Sequence, residues 1–354
     1  MRAVVTCRIV SANARHGTSV GSLPAPSTPM SSRHRAWQAL MSATGIRGIP
    51  LTVVGGFLGV GKTTLLNNLL RDADRRIAVF VNDFGAINID AECIRAQDGD
   101  TISLTNGCIC CGISGEFMFA LAGLRDRDDP PDHVIVEASG IGDVATIVRY
   151  ADIPGYRRDA AIVVVDAETV MIRTADVRTA DQVLAQLRAA DLVVLNKADL
   201  VTADELAVTR RWLGEMVPLA GIVETAFGEV PLAVLLGVGD RPRTAPAAPA
   251  SDRPHPEYSS WSWAGDAPLD GRGLSDTIAA LPDGILRVKG VLHLREDPVH
   301  RYLVQLVGRR GSIERDRIWG EGETPGSRLV MVGLPGSIVA ERLDAEMGRL
   351  VVPG

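Results

Sequence analysis

The sequence predicts an α/β protein with a mostly parallel sheet and helices on both faces, plus a smaller α+β C-terminal domain. Three observations predict this fold class. From residue 51 to about residue 236, short apolar runs rich in β-branched residues alternate with helical patterns. Such runs are typical of strands buried on both faces of a parallel sheet. A proline-rich stretch follows, and beyond it four strands and two helices predict a second, antiparallel sheet.

The composition is that of an ordinary soluble globular protein. Of the 354 residues, 46% are hydrophobic and 23% are charged, so a sizeable core is expected. The net charge of −6 argues against non-specific nucleic-acid binding, and no stretch is long and apolar enough to span a membrane. Three of the five cysteines lie within residues 108–111, which does not resemble a disulfide framework. A reducing cytoplasm is therefore the expected compartment.

Residues 1–50 are predicted to be a disordered or mis-started N-terminal extension. They contain six arginines and neither Asp nor Glu, and they show no sustained apolar period. A segment of this kind buries too little apolar surface to fold alone. Met41 is an alternative start, and an organelle transit peptide is a second interpretation of the arginine- and serine-rich composition.

The first folded domain is predicted to span residues 51–237. Its strands are expected at 51–54, 77–81, 133–136, 161–165 and 191–195. Helices are expected around 63–71, 114–125, 143–150, 178–189 and 203–213. Ligands of such a sheet are expected at the carboxyl ends of the strands.

Residues 238–256 are predicted to be a proline-rich linker, because prolines at this density suit neither a helix nor a central strand. Residues 257–354 are expected to form the α+β domain. Its strands are predicted near 258–263, 285–294, 301–307 and 328–333, and its helices near 270–281 and 336–349.

A glycine-rich loop between the first strand and the first helix predicts a P-loop NTPase. From Gly56 to Thr63 the loop matches G-x-x-x-x-G-K-[ST]. Glycines let consecutive backbone N–H groups turn toward a polyphosphate, which also lies at the positive end of the following helix. Lys62 is expected to reach the β- and γ-phosphates during catalysis, and the Thr63 hydroxyl to bind Mg²⁺. The predicted nucleotide-binding residues of this loop are Gly56, Gly59, Val60, Gly61, Lys62, Thr63 and Thr64.

A second motif predicts that the base of the bound nucleotide is guanine. Asn196, Lys197 and Asp199 directly follow an apolar strand in the pattern N-K-x-D. The aspartate can accept hydrogen bonds from guanine N1–H and its 2-amino group, whereas adenine lacks both donors and would leave the carboxylate unpaired. Alone the motif is most often a solvated turn, but its position after the phosphate loop favours GTP over ATP.

Candidate switch residues lie at two other strand ends. One strand ends at Glu137, with Gly140 three residues later. The carboxylate can orient a metal-bound or attacking water, and the Gly140 N–H can contact the γ-phosphate. In the alternative, Glu137 only caps the next helix. Asp83 follows the second strand and ranks first among the acids of a candidate first switch, ahead of Asp90 and Glu92.

Cys108, Cys110 and Cys111 form a C-x-C-C turn between two glycines. Thiolates are preferred ligands of Zn²⁺ and Cu(I), and the glycines permit a tight turn that points several sulfurs at one ion. Three sulfurs leave a tetrahedral site incomplete, which suits a protein that passes its metal on. The alternatives are small buried thiols and a redox sensor.

With these four motifs in this order, the chain resembles the CobW-type metallochaperone GTPases over roughly residues 50–350. Arg287 to Gly290 are similar to that family's C-terminal module. The resemblance implies GTP hydrolysis coupled to delivery of a metal, commonly zinc and in some members cobalt, to a client metalloprotein. It assigns nucleotide, Mg²⁺, metal and switch roles to the residues named above. The chain departs from many relatives in carrying Asn-Asp-Phe-Gly at 82–85 and in having no histidine-rich loop.

The sequence therefore predicts a GTP-hydrolysing metallochaperone with GTP, Mg²⁺ and Zn²⁺ as cofactors, and Co²⁺ as the second choice of metal. A redox- or metal-sensing GTP switch without metal transfer is the alternative, and a small-molecule kinase ranks third. Intrinsic turnover is expected to be slow, because no arginine finger or switch glutamine is evident. A second copy of the chain is a further candidate partner, in a homodimer.

Overall fold

The computed structural model describes residues 48–73, 75–82, 101–104, 115–138, 140, 143–237 and 258–352. The predicted N-terminal extension up to residue 47, the first-switch acid Asp83, the cysteine turn and the predicted linker lie outside these residues.

Within the described residues, seven strands form one sheet in the order β3-β2-β4-β1-β5-β6-β7. Every neighbouring pair runs parallel, which confirms the predicted fold class. The strands are β1 Ile49–Gly55, β2 Ile77–Asn82, β3 Thr101–Leu104, β4 His133–Glu137, β5 Tyr156–Asp166, β6 Leu192–Asn196 and β7 Gly221–Glu224.

Helices cover both faces of this sheet. They are α1 Lys62–Arg71, α2 Gly115–Arg125, α3 Val144–Val148, α4 Val170–Ala175, α5 Ala180–Ala189, α6 Ala203–Met216 and α7 Leu232–Leu235. Alternate residues of one strand face opposite sides, so Val54 of β1 packs with α1 and α7 while Val53 packs with α2 and α3. In the same way, Val163 of β5 lies in a separate core with α5 and α6.

Several of these elements differ from the predicted ones. Strands β3 and β7 were not predicted, because each is only four residues long and offers little periodicity. Strand β5 begins at Tyr156, five residues earlier than predicted. Residues 157–159 are all charged, so the apolar pattern did not reveal this part of the strand. Its Asp159 is nevertheless 2% exposed, and it is paired with Arg287 of the second domain.

The described C-terminal residues form a five-stranded antiparallel sheet in the order β11-β10-β9-β12-β8. The strands are β8 Ser259–Gly265, β9 Ile285–His293, β10 His300–Val307, β11 Arg310–Ile318 and β12 Ser327–Gly333. Helices α8 Gly271–Ala279 and α9 Ala340–Leu350 pack against one core with the sheet. The predicted α+β architecture is thus confirmed.

Strand β11 was not predicted, since five of its nine residues are charged. It lies at the edge of the sheet, where charged side chains can face water and discourage pairing with other chains. Helix α9 begins at Ala340 rather than near 336, because Gly336 has a φ of +75° and its backbone cannot enter the helix.

The two domains share a continuous interior. Leu286, Val307 and Val332 of the second domain belong to the same apolar cluster as Leu66 and Leu235 of the first. Arg310 of β11 adds polar contacts by donating to backbone carbonyls at the end of α5. The C-terminal sheet is therefore packed against the first domain.

Candidate functional site

The phosphate loop joins β1 to α1 in a conformation that requires glycine. Gly56 has a φ of +138°, and a Cβ there would lie 2.3 Å from the Val164 carbonyl oxygen. Gly61 has a φ of +102°, and its Cβ would lie 2.4 Å from the Asn196 amide nitrogen. The loop is thus pressed against β5 and β6, and a side chain at either position would force the strands and loop apart.

Lys62 occupies the interior of this loop. Its side chain is buried, and Nζ donates to the carbonyl oxygens of Gly56 at 2.9 Å and Phe57 at 3.2 Å. Thr63 is half-buried and Thr64 exposed in the first turn of α1, which contains no acidic residue. The positive end of the helix and the lysine therefore act together on whatever lies in the loop.

Asn196 connects three parts of the site. It ends β6 and is 2% exposed, and its Nδ2 donates to the Val60 carbonyl oxygen at 2.8 Å. Its Oδ1 accepts from the Gly228 N–H at 2.9 Å. One side chain thus connects the phosphate loop, the N-K-x-D motif and the turn that follows β7.

Lys197 and Asp199 adopt the shape of a short turn at the end of β6. Lys197 has a φ of +60°, and its Nζ donates to Asp166 Oδ2 at 2.8 Å. Asp166 ends β5 and is buried, and its Oδ1 accepts from the Glu168 N–H. Asp199 is exposed, so its carboxylate is open to a ligand from outside. The contribution of Asp166 was not predicted, although an acid directly after the apolar run 161–165 was a usable signal.

The turn after β7 is a further part of the site that the sequence did not reveal. The Ala198 N–H donates to the Thr225 carbonyl oxygen at 3.1 Å, which places this turn beside the N-K-x-D motif. Phe227 follows with a φ of +56°, and the residue is 56% exposed. Its carbonyl oxygen accepts from Asn68 Nδ2 of α1 at 2.9 Å. An exposed aromatic face at this position is suited to stacking on a base.

Glu137 and Gly140 lie beside the phosphate loop. Val54 of β1 pairs with Glu137, whose side chain is 2% exposed. A Cβ on Gly140 would lie 2.5 Å from Leu58 Cδ2 and 3.0 Å from the Leu58 nitrogen, so the loop and the predicted second switch are in direct contact. The E-x-x-G motif and the phosphate loop thus meet at one edge of the sheet.

The alternative that Glu137 caps the next helix is wrong. Helix α3 is capped by Asp143, whose Oδ1 accepts from the Thr146 N–H at 3.2 Å. A hydrogen bond from the Thr146 hydroxyl lowers the pKa of the Asp143 carboxyl from its ordinary value. Glu137 is therefore left for another role at the end of β4.

Arg173 of α4 brings a guanidinium group to the phosphate loop. Its Cζ lies 4.5 Å from the centre of the Phe57 ring, and its Nε donates to Thr169 Oγ1 at 3.1 Å. The cation and the ring face attract each other. Because α4 was not predicted, an arginine at this position could not be foreseen from the sequence.

The predicted metal residues Cys108, Cys110 and Cys111 and the predicted catalytic residue Asp83 lie outside the described residues. Across the residues that are described, no group of three or more His, Cys, Asp and Glu side chains could hold a metal ion. His293 contacts the Asp266 carbonyl oxygen and His300 pairs with Asp297. None of the helices in the described ranges has the length and apolar character needed to cross a bilayer.

Comparison with known proteins assigns the chain to a family. Residues 50–224 match the family described as CobW/HypB/UreG, nucleotide-binding domain, and residues 258–350 match the Cobalamin synthesis protein cobW C-terminal domain.

The zinc chaperone CobW of Sinorhizobium sp is 33% identical over 329 residues, covering 81% of this chain and 93% of that protein. The zinc chaperone CobW of Pseudomonas aeruginosa is 35% identical over 342 residues, covering 84% and 91%. The zinc chaperone YjiA of Escherichia coli is 30% identical over 312 residues, covering 81% and 94%. The chain, with its phosphate loop, N-K-x-D motif and C-terminal sheet, therefore belongs to the CobW family.

Proposed function

We propose that this protein is a GTP-hydrolysing metallochaperone that carries zinc, with cobalt as the second choice of metal, to a client metalloprotein. The observation that carries the GTPase part is the Asn196 side chain, which joins the phosphate loop and the base-reading motif within hydrogen-bonding distance. The names of the CobW and YjiA relatives support the metal part.

The residues of the phosphate loop supply positive charge where a phosphoryl group would be transferred. Lys62 and the backbone N–H groups of the loop stabilise negative charge that develops on the γ-phosphate and on the leaving oxygen. This charge stabilisation is preorganised, because Lys62 is already held inside the loop by the Gly56 and Phe57 carbonyls. The loop thus needs little rearrangement when a nucleotide binds.

Oxygen ligands suitable for Mg²⁺ are present beside the loop. The Thr63 hydroxyl lies in the first turn of α1, and the Glu137 carboxylate lies at the end of β4. Hydroxyl, carboxylate and water oxygens are the ligands that this ion prefers. Mg²⁺ would neutralise phosphate charge, while Glu137 would orient an attacking or metal-bound water.

We assign the cargo metal to Cys108, Cys110 and Cys111. Thiolates bind zinc strongly, and three of them leave one position open through which the metal can pass to another protein. In the sequence these cysteines fall between β3 and α2, and β3 pairs with β2, the strand that precedes the predicted first switch. If both ligands favour one switch conformation, nucleotide and metal change each other's affinity by the same factor.

The GTPase part is tested by nucleotide binding and phosphate release. We expect the protein to bind GTP more tightly than ATP and to hydrolyse GTP slowly, and we expect Lys62→Ala to abolish hydrolysis. Equal affinity for the two nucleotides, or hydrolysis that survives Lys62→Ala, would refute the proposal.

The metal part is tested under anaerobic, reducing conditions by titrating Zn²⁺ against a competing chelator in the presence of GTP and of GDP. We expect Cys110→Ser to weaken zinc binding and Cys93→Ser, outside the motif, to leave it unchanged. Zinc affinity that is unaffected by Cys110→Ser would refute the thiolate site. Zinc affinity that is the same with GTP and GDP would refute the coupling between nucleotide and metal.

A further inference from the structure

Gln186 is a buried polar residue at a position of α5 where packing alone would favour an apolar side chain. Helix α5 buries Val183, Gln186 and Leu187, which share one face, and Gln186 is 3% exposed. Placing an amide in an apolar interior costs free energy unless the amide makes hydrogen bonds. The buried amide of Gln186 therefore needs a hydrogen-bond partner at a fixed place in the interior.

That partner includes the glycine of the predicted second switch. Gln186 Nε2 donates to the Gly140 carbonyl oxygen at 3.4 Å. The contact joins residues 46 positions apart, across the interface between α5 and the segment that follows β4. Gly140 itself is buried.

The opposite side of Gly140 is also occupied. Leu58 of the phosphate loop lies so close that a Cβ on Gly140 would be 2.5 Å from Leu58 Cδ2. Gly140 is thus held between the phosphate loop and α5. Its carbonyl belongs to one of the two peptide units that flank its Cα, and its N–H belongs to the other. The two units are each planar but rotate about φ and ψ, so a restraint on the carbonyl fixes where Gly140 lies beside the loop.

We infer that Gln186 is a positioning residue of the second switch. By holding the Gly140 carbonyl, its amide keeps Gly140 beside the phosphate loop, where its N–H can reach the γ-phosphate, and so favours the triphosphate over the diphosphate. The inference rests on the proposed GTPase function. Because Gln186 donates to the Gly140 carbonyl, we expect it to act through that glycine.

The test uses the full-length chain and the variant Gln186→Met, which keeps the length of the side chain and removes its N–H donor. Affinities for GTPγS and for GDP are measured with Mg²⁺, together with kcat and KM for GTP. We expect the affinity for GTPγS to fall about threefold to tenfold, the range that one hydrogen bond provides. We expect GDP affinity to stay within about twofold, because GDP has no γ-phosphate, and kcat to fall more than KM rises.

The matched control is Gln182→Met, the same substitution one turn earlier on α5 at a half-buried position. It should leave both affinities unchanged. If thermal unfolding shows that Gln186→Met is unstable, Gln186→Asn keeps an amide but shortens its reach by one methylene, and the same selective loss of GTPγS affinity is expected.

The inference is overturned if both affinities fall together in the variants, which indicates general damage to the fold, or if neither changes. A wild-type chain that binds neither GTPγS nor GDP refutes the proposed function itself. If the wild-type chain prefers GTPγS over GDP and the Gln186→Met variant keeps the same preference, only the role of Gln186 is refuted.

Discussion

At the scale of single residues, the candidate site contains side chains that hold the protein together and side chains that are open to a ligand. Asn196 is buried and bonded to two backbone groups, whereas Asp199, three residues later, is exposed. Both were predicted as guanine readers. Because Asn196 is buried and Asp199 is exposed, we expect substitutions of the two residues to have different effects.

Replacing Asn196 with Ala should destabilise the protein. The substitution leaves the Val60 carbonyl and the Gly228 N–H without their present partner in a buried region. We expect the free energy of unfolding to fall by about 1–3 kcal/mol, the range for an unsatisfied buried polar group. Urea denaturation provides the measurement. An unchanged midpoint would contradict a stabilising role for the two hydrogen bonds of Asn196. GTP affinity should fall as well, because the phosphate loop and the base loop lose their connection.

Replacing Asp199 with Ala should change selectivity and leave stability intact. An exposed surface substitution typically alters the free energy of unfolding by no more than about 0.5 kcal/mol. The loss of the carboxylate removes the acceptor for guanine N1–H and the 2-amino group, so the preference for GTP over ATP should fall at least about tenfold. Competition between the two nucleotides measures this ratio. A ratio equal to that of the wild type would exclude Asp199 as the base reader.

At the scale of elements, helix α5 is held at its C-terminal end by the second domain. Arg310 of β11 donates to the Ala190 carbonyl oxygen at 2.9 Å and to that of Arg188 at 3.1 Å. It also contacts the Asp191 carboxylate at 3.2 Å. A cation at the C-terminus of a helix satisfies the last carbonyls and complements the helix dipole. The helix that carries Gln186 is therefore anchored by a residue of the other domain.

Replacing Arg310 with Ala should cost about 1–2 kcal/mol of the free energy of unfolding, because the terminal carbonyls of α5 and the buried Asp191 lose a charged donor. Arg309→Ala is the matched control, since its guanidinium contacts Asp283 and the Leu281 carbonyl within the second domain. That ion pair is exposed, and we expect its loss to cost less than about 0.5 kcal/mol. Equal effects of the two substitutions in urea denaturation would contradict the anchoring role of Arg310.

At the scale of the whole molecule, a buried polar network joins the two sheets. Asp159 of β5 accepts from the Thr52 hydroxyl at 2.8 Å and pairs with Arg287 of β9 at 2.5 Å. Thr52 in turn accepts from His133 Nε2 at 2.8 Å, because its own proton is given to Asp159. Burial alone would raise the pKa of Asp159, but Arg287 and the other positive groups around the carboxylate together outweigh it, and the pKa lies well below the ordinary value. A buried ion pair is weak evidence for stability, but it fixes how the two sheets meet.

His133 should make the stability of the protein depend on pH. Burial lowers the pKa of His133 well below its ordinary value of 6.5, and Lys289, Arg287 and Arg75 lower it further, while Asp159 opposes them. Below about pH 6.5, the His133 side chain therefore binds a proton in the unfolded state that it does not bind in the folded state. Stability is fully present above about pH 6.5 and is lost as the pH falls below that value, with a slope of up to about 1.4 kcal/mol per unit.

Urea denaturation at several pH values between 7.5 and 5 measures this slope, and His133→Gln should remove most of it. His300→Asn, at a partly exposed site in the second domain, is the control and should retain the slope. A wild-type stability that stays constant over this range would contradict the assignment of His133 as a buried neutral imidazole.

The sequence by itself determined the fold class, the family and the residues with recognisable chemistry. Apolar runs of β-branched residues specify buried parallel strands wherever they occur, so most strands of the first sheet could be predicted. The phosphate loop and the N-K-x-D motif could be recognised because each depends on a short local conformation. The roles assigned to their residues, and to the cysteine turn, remain predictions.

Only the tertiary structure decided which residues meet. Asn196 at the phosphate loop, Asp166 on Lys197, Gln186 on Gly140 and Arg310 on α5 are contacts between residues 31 to 136 positions apart. Strands as short as β7 and as charged as β11 also escaped prediction, because pairing with a neighbour makes them strands rather than any period of their own. Long-range contacts depend on how the sheets and helices pack, and no local pattern in the chain encodes the partner.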